Sequence, residues 1–230
     1  MNSFASPQIF TALPFSRMNS EKPLVDDVYP RIFDAILEQR ISPSSRFTEE
    51  SLGHMFGVSR STVRRALLRL AHQQVIILRP NHRPRVAAPV PEQTRQVLHA
   101  RRLTETTLVQ LACQRRHPGM LAKLCELTEE QRLCMERGQH GSAIRLSGEF
   151  HLQLANMADN APLAHFLESL VPLTSLAIAQ KYEGQTGSAC TWRTHVCFVD
   201  ALERTDVSAA VRLMTQYLDD LEQRLLGEHP

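Results

Sequence analysis

Apolar residues recur every three or four positions along most of this chain, which is the period of an amphipathic helix. In the first third, Val28, Ile32, Ile36 and Leu37 fall on one face of a helix that extends to about Arg40. In the rest of the chain the same period predicts six long helices, at about 92–116, 118–137, 139–158, 161–182, 190–204 and 206–226. This pattern predicts a mainly α protein whose C-terminal part is an all-α helical bundle.

Residues 45–90 carry the start and stop signals of a different, smaller unit. Thr48 is placed to cap the helix EESLGHMF, and Gly57 is placed to end it. Ser59 is placed to cap a second helix that runs to about His72. The next segment, VIILRPNHRPRVAA, has two strand-like stretches around a turn with proline and asparagine, which predicts a cationic hairpin. Two short helices followed by a hairpin predict an N-terminal winged helix-turn-helix.

Breaks in these patterns divide the chain into four predicted parts. The first residues mix Ser, Pro and Asn without a period, and the segment AAPVPEQ interrupts regular structure. The parts are a flexible N-terminal tail at 1–22, the winged helix-turn-helix domain at 23–88, a linker at 89–92 and the all-helical domain at 93–230.

The composition argues against disordered, secreted and membrane proteins. Hydrophobic residues make up 43% of the chain, which is too many for a disordered protein. No apolar run approaches the ~20 residues of a membrane helix, and the N-terminus lacks the features of a secretory signal. We therefore expect a cytoplasmic protein with no membrane partner. Scattered cysteines without a CxxC pair are then expected to be reduced, buried helical side chains: Cys113, Cys125, Cys134, Cys190 and Cys197.

Charge is distributed unevenly along the chain. Residues 1–91 contain 12 Lys and Arg against 7 Asp and Glu, so their formal charge is +5. Residues 92–230 contain 14 against 17, or −3, and the two values sum to the net charge of +2. A basic N-terminal third beside an acidic remainder indicates that only the first part meets a polyanion.

The segment GVSRSTVRRALLRLA, at 57–71, is the strongest candidate for that contact. Its apolar positions would pack the second helix on the first, which leaves an arginine-rich face free. In a helix-turn-helix the start of this helix enters the major groove, where arginine can bond to guanine O6 and N7. Hydroxyl groups at the helix start suit phosphates. The candidate DNA-binding residues on this helix are Arg60, Ser61, Thr62, Arg64 and Arg65.

The sequence around this helix resembles the DNA-binding domain of GntR-type bacterial transcription regulators. The resemblance covers residues 26–88 and rests on RFTEESLGHMFGVSRSTVRRALLRLAHQQVIILRPNHRPRV. It implies that Arg60 and Arg64 read bases. The residues that it assigns to phosphates or base edges are Ser59, Ser61 and Thr62.

The same resemblance implies that the tip of the hairpin, the wing, approaches the minor groove. Here the tip reads PNHRP, whereas many members of the family carry a glycine. Asn81 can adopt the left-handed conformation that the turn needs. His82 and Arg83 are therefore the candidate DNA contacts of the wing.

The second domain, at 93–226, is similar to the FCD ligand-binding domain of the FadR-like branch of that family. The matching segments are ARRLTE at 100–105, EFHLQLANMADNAPL at 149–163 and WRTHVCFVDALERTDVSAAV at 192–211. Many members of this branch bind a divalent metal through one Asp or Asn and three His.

The resemblance places the four metal-ligand positions on Ser147, His151, His195 and Tyr217. Two of the four ligands are therefore missing, and we expect no standard zinc or nickel site. A metal held by His151 and His195 alone, with water or an effector completing the shell, stays as an alternative.

We expect instead that Ser147, His151, His195 and Tyr217 line a polar effector pocket without a metal. Neutral imidazoles and hydroxyls offer donors and acceptors to a polar organic ligand. Arg101 matches an arginine that often faces the pocket, and it could pair with a carboxylate of the effector. Two alternatives stay open: Arg101 forms a salt bridge to Glu105, four residues on, or both histidines are ordinary core residues with satisfied hydrogen bonds.

The leading hypothesis is a DNA-binding transcription regulator controlled by a small metabolite in the helical domain. A homodimer is expected, because two reading helices one helical turn apart recognise an inverted repeat. Repression that the effector relieves is the mode that the resemblance implies. The sequence contains no complete catalytic motif, so we expect no enzyme. The alternatives are a metal-binding or enzymatic helical domain with an accessory DNA-binding module, and a non-specific DNA-coating protein, which the modest net charge disfavours.

Overall fold

The computed structural model describes residues 28–115, 118–181 and 191–227. Helices dominate these ranges, and their order confirms the predicted mainly α fold. The helices are α1 Val28–Leu37, α2 Glu49–Phe56, α3 Arg60–His72, α4 Pro91–Cys113, α5 Pro118–Glu136, α6 His140–Met157, α7 Ala161–Lys181, α8 Thr191–Glu203 and α9 Val207–Leu226. The strands are β1 Ile76–Ile77 and β2 Arg85–Val86. The predicted N-terminal tail lies outside the described residues.

The ends of α2 and α3 follow from short-range hydrogen bonds. Thr48 Oγ1 accepts a bond from the Ser51 backbone nitrogen at 3.1 Å, and Ser51 Oγ accepts one from the Thr48 nitrogen at 2.9 Å. This reciprocal pair is a capping box. Gly57 ends α2 with a φ of 67°, a left-handed conformation that favours glycine. Ser59 then caps α3 by accepting from the Thr62 nitrogen at 3.2 Å, so the predicted caps are confirmed.

The turn between α2 and α3 depends on a second glycine. A Cβ atom at Gly53 would lie 2.9 Å from the carbonyl oxygen of Val58. That separation is too short for any side chain, because a backbone oxygen cannot move away without displacing the turn. Gly53 therefore lets the two helices approach closely, as a helix-turn-helix requires.

The wing is a short antiparallel hairpin in which Ile76 pairs with Val86 and Ile77 with Arg85. Asn81 has a φ of 60° at the tip, as the sequence predicts. Ile76 and Val86 are buried in the same core as Val63 of α3, and β1 packs against α3, so the hairpin and α3 form one body. This N-terminal unit, residues 28–88, is called the head below.

Helices α4–α9 form the second unit, called the body below. Its core contains large buried side chains from at least four helices, including Leu98, Phe150, Phe198 and Met214. Helix α7 is the one helix of the described residues that is long and apolar enough to cross a membrane. Ten of its 21 residues are buried in the protein, and core helices pass the same test of length and composition.

The head and the body share a packed seam where α1 lies against α6 and α7. Asp34 on α1 accepts hydrogen bonds from Ser142 Oγ at 2.8 Å and from Arg145 Nε at 2.6 Å. A Cβ atom at Gly141 would lie 2.8 Å from the Asp34 carbonyl oxygen, so the two backbones almost touch. Four apolar residues of α6 and α7 belong to the core of the head: Ile144, Leu173, Leu176 and Ala179.

Two helix boundaries differ from the sequence predictions. Helix α1 ends at Leu37 rather than near Arg40, because Gln39 takes a left-handed φ of 58°. Helix α4 starts at Pro91, so the last two residues of the predicted linker are helical. Proline suits this first position because the amide it lacks would have no helical partner.

The expectation of buried cysteines is wrong at two positions. Cys113 is buried, Cys134 is half-buried, and Cys125 and Cys197 are exposed. All four are free thiols in the structure, whereas Cys190 lies outside the described residues. Helical periodicity did not reveal which faces of α5 and α8 point to solvent.

Candidate functional site

Helix α3 presents its basic face to solvent. Val63, Leu67 and Leu70 are buried on the opposite face, as the apolar period predicts. The side chains of Arg60 and Arg64 are 69% and 55% exposed. Both guanidinium groups are therefore accessible to a partner.

One carboxylate from α2 holds both of these arginines. Glu49 accepts from Arg64 Nε and Nη2, each at 2.8 Å, and from Arg60 Nε at 2.7 Å. The hydrogen bond from Arg64, followed by that from Arg60, lowers the pKa of the Glu49 carboxyl to about 2. Sequence reasoning did not identify Glu49, because nothing in the local pattern links a residue of α2 to residues 11 and 15 positions further on.

The remaining predicted DNA contacts also lie at the surface. Thr62 is half-buried, and the others are exposed: Ser59, Ser61, Arg65, His82 and Arg83. Ser59 Oγ lies 2.9 Å from both Ser61 Oγ and Thr62 Oγ1, so three hydroxyls cluster at the start of α3. His82 Nδ1 lies 2.8 Å from the Pro80 carbonyl oxygen and donates to it, which folds the wing tip on itself. Every one of the eight positions can reach a partner at the surface, and their DNA contacts stay predictions.

A second group of polar residues is buried in the middle of the body. Glu105 on α4 accepts from Arg101 Nε at 2.5 Å and from His151 Nδ1 at 2.6 Å. The Arg101 and Glu105 side chains are each 2% exposed. Burial raises the pKa of Glu105, but the charge of Arg101 and the bonds from Arg101 and His151 outweigh it and lower the value to about 2. The salt bridge that the sequence offered as an alternative for Arg101 is therefore present.

His195 belongs to the same group through α5. Its Nδ1 lies 2.8 Å from Gln131 Oε1, and Gln131 Nε2 donates to Thr191 Oγ1 at 2.6 Å. Thr191 Oγ1 in turn donates to Ser147 Oγ at 3.4 Å. Burial lowers the pKa of His151 and of His195, so both rings are neutral near pH 7. Since both Nδ1 atoms face oxygen acceptors, they carry the protons, and both Nε2 atoms present lone pairs.

Tyr217 on α9 completes this arrangement. The His151 ring centroid lies 5.4 Å from that of His195 and 4.7 Å from that of Tyr217. Phe150 stacks on His195 with centroids 4.0 Å apart and fixes the plane of that ring. We call these residues the buried polar cluster: Arg101, Glu105, Gln131, Ser147, His151, Thr191, His195 and Tyr217.

Three atoms of the buried polar cluster lack hydrogen-bond partners. Among the described residues, Arg101 Nη2, His151 Nε2 and His195 Nε2 are buried and unpaired. Buried polar atoms are normally satisfied, so three unpaired atoms in one cluster are a feature that the predicted effector pocket would explain. A cleft of about 570 Å³ between α8 and α9 adjoins the cluster, because Thr191 and Tyr217 line it, whereas Arg101, His151 and His195 lie behind its wall.

All five effector residues expected from the sequence, Arg101, Ser147, His151, His195 and Tyr217, belong to this cluster. Sequence reasoning missed Gln131 and Thr191, and it treated Glu105 only as a partner of Arg101. The burial of Gln131 on α5 could not be predicted from the sequence. A glutamine in a helix is equally compatible with a face that points to solvent. The effector-binding role of the cluster is untested by these contacts and stays a prediction.

The residues present do not fit the four-ligand metal site of the FadR-like branch. Zinc in proteins takes three or four protein ligands, usually Cys, His, Asp or Glu. At the four corresponding positions this protein has two imidazoles, of His151 and His195, and two hydroxyls, of Ser147 and Tyr217. Within the described ranges, no three His, Cys, Asp or Glu side chains are arranged to hold a metal ion.

Two protein-family models match the chain and divide it as the structure does. The model of the bacterial regulatory proteins of the gntR family matches residues 24–86, and that of the FCD domain matches residues 96–220. The first range covers the head except for its last two residues, and the second contains most of the body. Together they leave outside the two chain ends and residues 87–95, which connect β2 to α4 and include the start of α4.

Individual relatives agree with this division. The HTH-type transcriptional repressor RspR of Escherichia coli K12 is 24% identical over 208 residues, which is 90% of this chain and 91% of the relative. The HTH-type transcriptional regulator McbR of the same strain is 27% identical over 130 residues, or 56% of this chain and 59% of that protein.

Solved structures share the fold. A GntR regulator described as putative, from Rhodococcus sp. RHA1, superposes with a TM-score of 0.69 and 22% identity, over 88% of this chain and 97% of that chain. E. coli McbR/YncC superposes with a TM-score of 0.67 and 22% identity, over 86% and 96%. With the FCD model matching more than half of the chain, these observations show that the protein belongs to the GntR family of bacterial transcription regulators and carries a C-terminal FCD domain.

Proposed function

We propose that this regulator is a cytoplasmic, homodimeric repressor whose binding to an operator is weakened by a small polar effector in the buried polar cluster. The observation that carries the proposal is that a single helix, α6, contributes to both functional regions. Ser147 and His151 of α6 belong to the cluster, while Ser142 and Arg145 hold Asp34 of the head. A ligand that shifts α6 would therefore act on the head through α1, against which α3 packs.

The unpaired atoms of the cluster define the effector that it would prefer. Arg101 Nη2 is a cationic donor and suits an anionic oxygen such as a carboxylate. His151 Nε2 and His195 Nε2 are acceptors and suit hydroxyl or ammonium groups. A small metabolite with a carboxylate and at least one hydrogen-bond donor would satisfy all three atoms without a metal.

Control of DNA binding requires that the effector bind two arrangements of the protein with different affinity. In a homodimer the two copies of α3 must sit about one helical turn of DNA apart to read an inverted repeat. Effector binding at α6 would change the placement of each head through the seam at Asp34 and Gly141. The relative RspR is named a repressor, and this supports release of DNA, rather than recruitment to it, as the response.

The DNA-binding half of the proposal is tested with Arg64→Ala. The probe is the duplex that the parent protein selects from a random pool. Loss of the Arg64 contact should weaken binding to this duplex by about 1–3 kcal/mol and relax the preference at one base pair. The matched control is Arg95→Ala, which removes an exposed arginine from α4. Equal binding by the Arg64 variant and the parent would contradict the groove assignment of α3.

The effector half is tested by thermal shift and metal analysis on the same protein. A library of hydroxy acids, amino acids and purines should contain compounds that raise Tm, since a ligand that binds only the folded state stabilises it. Those compounds should release the selected duplex from the parent and fail to do so in the variant Tyr217→Phe/His195→Gln. Elemental analysis of protein purified without chelator should find well under one metal ion per chain. A full equivalent of zinc or nickel would contradict the metal-free pocket and favour a metal-binding body.

A further inference from the structure

Glu49 is the residue of the head whose contacts are least expected for a protein that binds a polyanion. A carboxylate beside the recognition helix repels phosphates, so at this place it lowers the affinity for any DNA. It is nevertheless bonded to both arginines that the DNA-reading hypothesis depends on, at 2.7–2.8 Å. Its own position is fixed, because it stands between the two partners of the α2 capping box, Thr48 and Ser51.

The direction of these bonds leaves the terminal Nη edges of both arginines, which would contact bases, free. Each guanidinium has five N–H donors. Arg64 uses Nε and one Nη2 hydrogen on Glu49, which leaves three donors, including those of its terminal edge. Arg60 uses only Nε and keeps four donors. The terminal pair of Nη groups is the edge that can bond simultaneously to guanine O6 and N7.

We propose that Glu49 is a positioning residue for sequence recognition, which aims the free edges of Arg60 and Arg64 at base edges before DNA arrives. This inference rests on the proposed function. The carboxylate restricts two flexible side chains in advance, so less conformational freedom is lost on binding. It also removes one unit of positive charge from the contact surface, which weakens binding to phosphates of every sequence. Glu49 thus raises the ratio of specific to non-specific affinity through both effects.

Glu50, the next residue along the chain, provides a matched control for substitutions of Glu49. Glu50 is exposed, lies in the same first turn of α2, and makes no hydrogen bond or ion pair with any described residue. Glu50→Gln removes the same charge from the same helix end and leaves the arginines held. Glu49→Gln removes both the charge and the ion pairs that hold Arg60 and Arg64. Glu49→Asp keeps the charge but shortens the side chain, so it cannot bond to both arginines in the same geometry.

The experiment measures binding of the full chain to the duplex that the parent selects from a random pool and to a random-sequence duplex. Glu49→Gln should bind the random duplex more tightly and lower the specificity ratio by roughly 5- to 100-fold, the range expected for losing a well-placed arginine fork. Glu50→Gln should tighten binding to both duplexes equally and keep the parent ratio. Glu49→Asp should lower the ratio without tightening binding to the random duplex.

Two results would overturn this inference, and they are distinguishable. If the parent discriminates but Glu49→Gln and Glu49→Asp keep its ratio, then Glu49 has no positioning role while the proposed function stands. If the parent selects no sequence from the pool, the proposed function fails and the inference fails with it. Unfolding midpoints measured for all three variants show whether each is folded, and the Asp variant keeps the charge at the helix start where it favours folding.

Discussion

Two arginine–glutamate pairs in this protein have the same chemistry and opposite surroundings. In the head, Arg64 and Glu49 are 55% and 22% exposed, whereas in the body Arg101 and Glu105 are each 2% exposed. Both carboxyl groups have a pKa of about 2. A similar pKa therefore says little about what each pair contributes, which depends on whether water or another partner can replace the arginine.

The exposed pair can exchange partners at low cost. Water screens its charges, and the arginine donors that face solvent remain available to another partner. The buried pair cannot be separated in this way, because an isolated charge inside the body would have neither water nor a counter-charge. It acts as a fixed framework that holds the unpaired Arg101 Nη2 and His151 Nε2 inside the body.

Removal of the buried carboxylate should have the largest effect. Glu105→Ala leaves Arg101 charged and unpaired and frees the Nδ1 proton of His151, so the free energy of unfolding should fall by about 3–5 kcal/mol. Denaturant titration followed by circular dichroism measures the change. The double variant Arg101→Met/Glu105→Leu removes both charges and should recover most of the loss. A small loss in the single variant would mean that water reaches the pair.

Lowering the pH should destabilise the folded protein through the buried polar cluster in two steps. The pKa values of His151 and His195 lie below 6.5 in the folded protein, so below pH 6.5 the unfolded chain binds protons that the folded chain does not, and stability falls. Glu105 stays ionised to about pH 2, so between about pH 4.5 and 2 it adds a loss of about 3 kcal/mol.

The pH dependence is measured by denaturant unfolding at a series of pH values between 7 and 3. His195→Gln should flatten the fall in stability just below pH 6.5, because one buried group that resists protonation is gone. The control is His82→Gln, which changes an exposed histidine of the wing, outside the buried polar cluster. An unchanged profile in the His195 variant would show that the ring takes up a proton in the folded protein as readily as in the unfolded chain.

A pair of intermediate burial should give an intermediate effect. Asp34 and Arg145, in the seam between head and body, are 16% and 17% exposed. Asp34→Ala removes the acceptor of Ser142 and Arg145 and should lower the free energy of unfolding by about 1.5–3 kcal/mol. The same variant should weaken the packing of the head against the body. Limited proteolysis would detect this as faster cleavage near the α1–α6 contact. A loss as large as that of Glu105→Ala would contradict the graded role of burial.

The exposed pair should contribute least to stability. Glu49→Ala should change the free energy of unfolding by less than about 1 kcal/mol, since an exposed ion pair is screened and costs side-chain entropy to form. The measurement is the same denaturant titration. A loss above 2 kcal/mol would mean that Glu49 stabilises the fold of the head rather than orienting its arginines.

The sequence alone determined the features that depend on neighbours within about four residues. The caps at Thr48 and Ser59, the left-handed turn at Asn81 and the extents of most helices follow from such local signals. The basic face of α3 was predictable for the same reason, because helical geometry decides which side chains share a face once the apolar side is packed.

Only the tertiary structure decided which polar side chains meet. Glu49 reaches Arg64 across 15 positions, His195 reaches Gln131 across 64, and Asp34 reaches Arg145 across 111. The relative placement and rotation of packed helices set these distances, and apolar periodicity constrains neither closely. The same limit explains why exposed Cys125 and Cys197 were expected to be buried. A single sequence reports which face of a helix is apolar, whereas the partner of each polar group depends on how all the helices pack together.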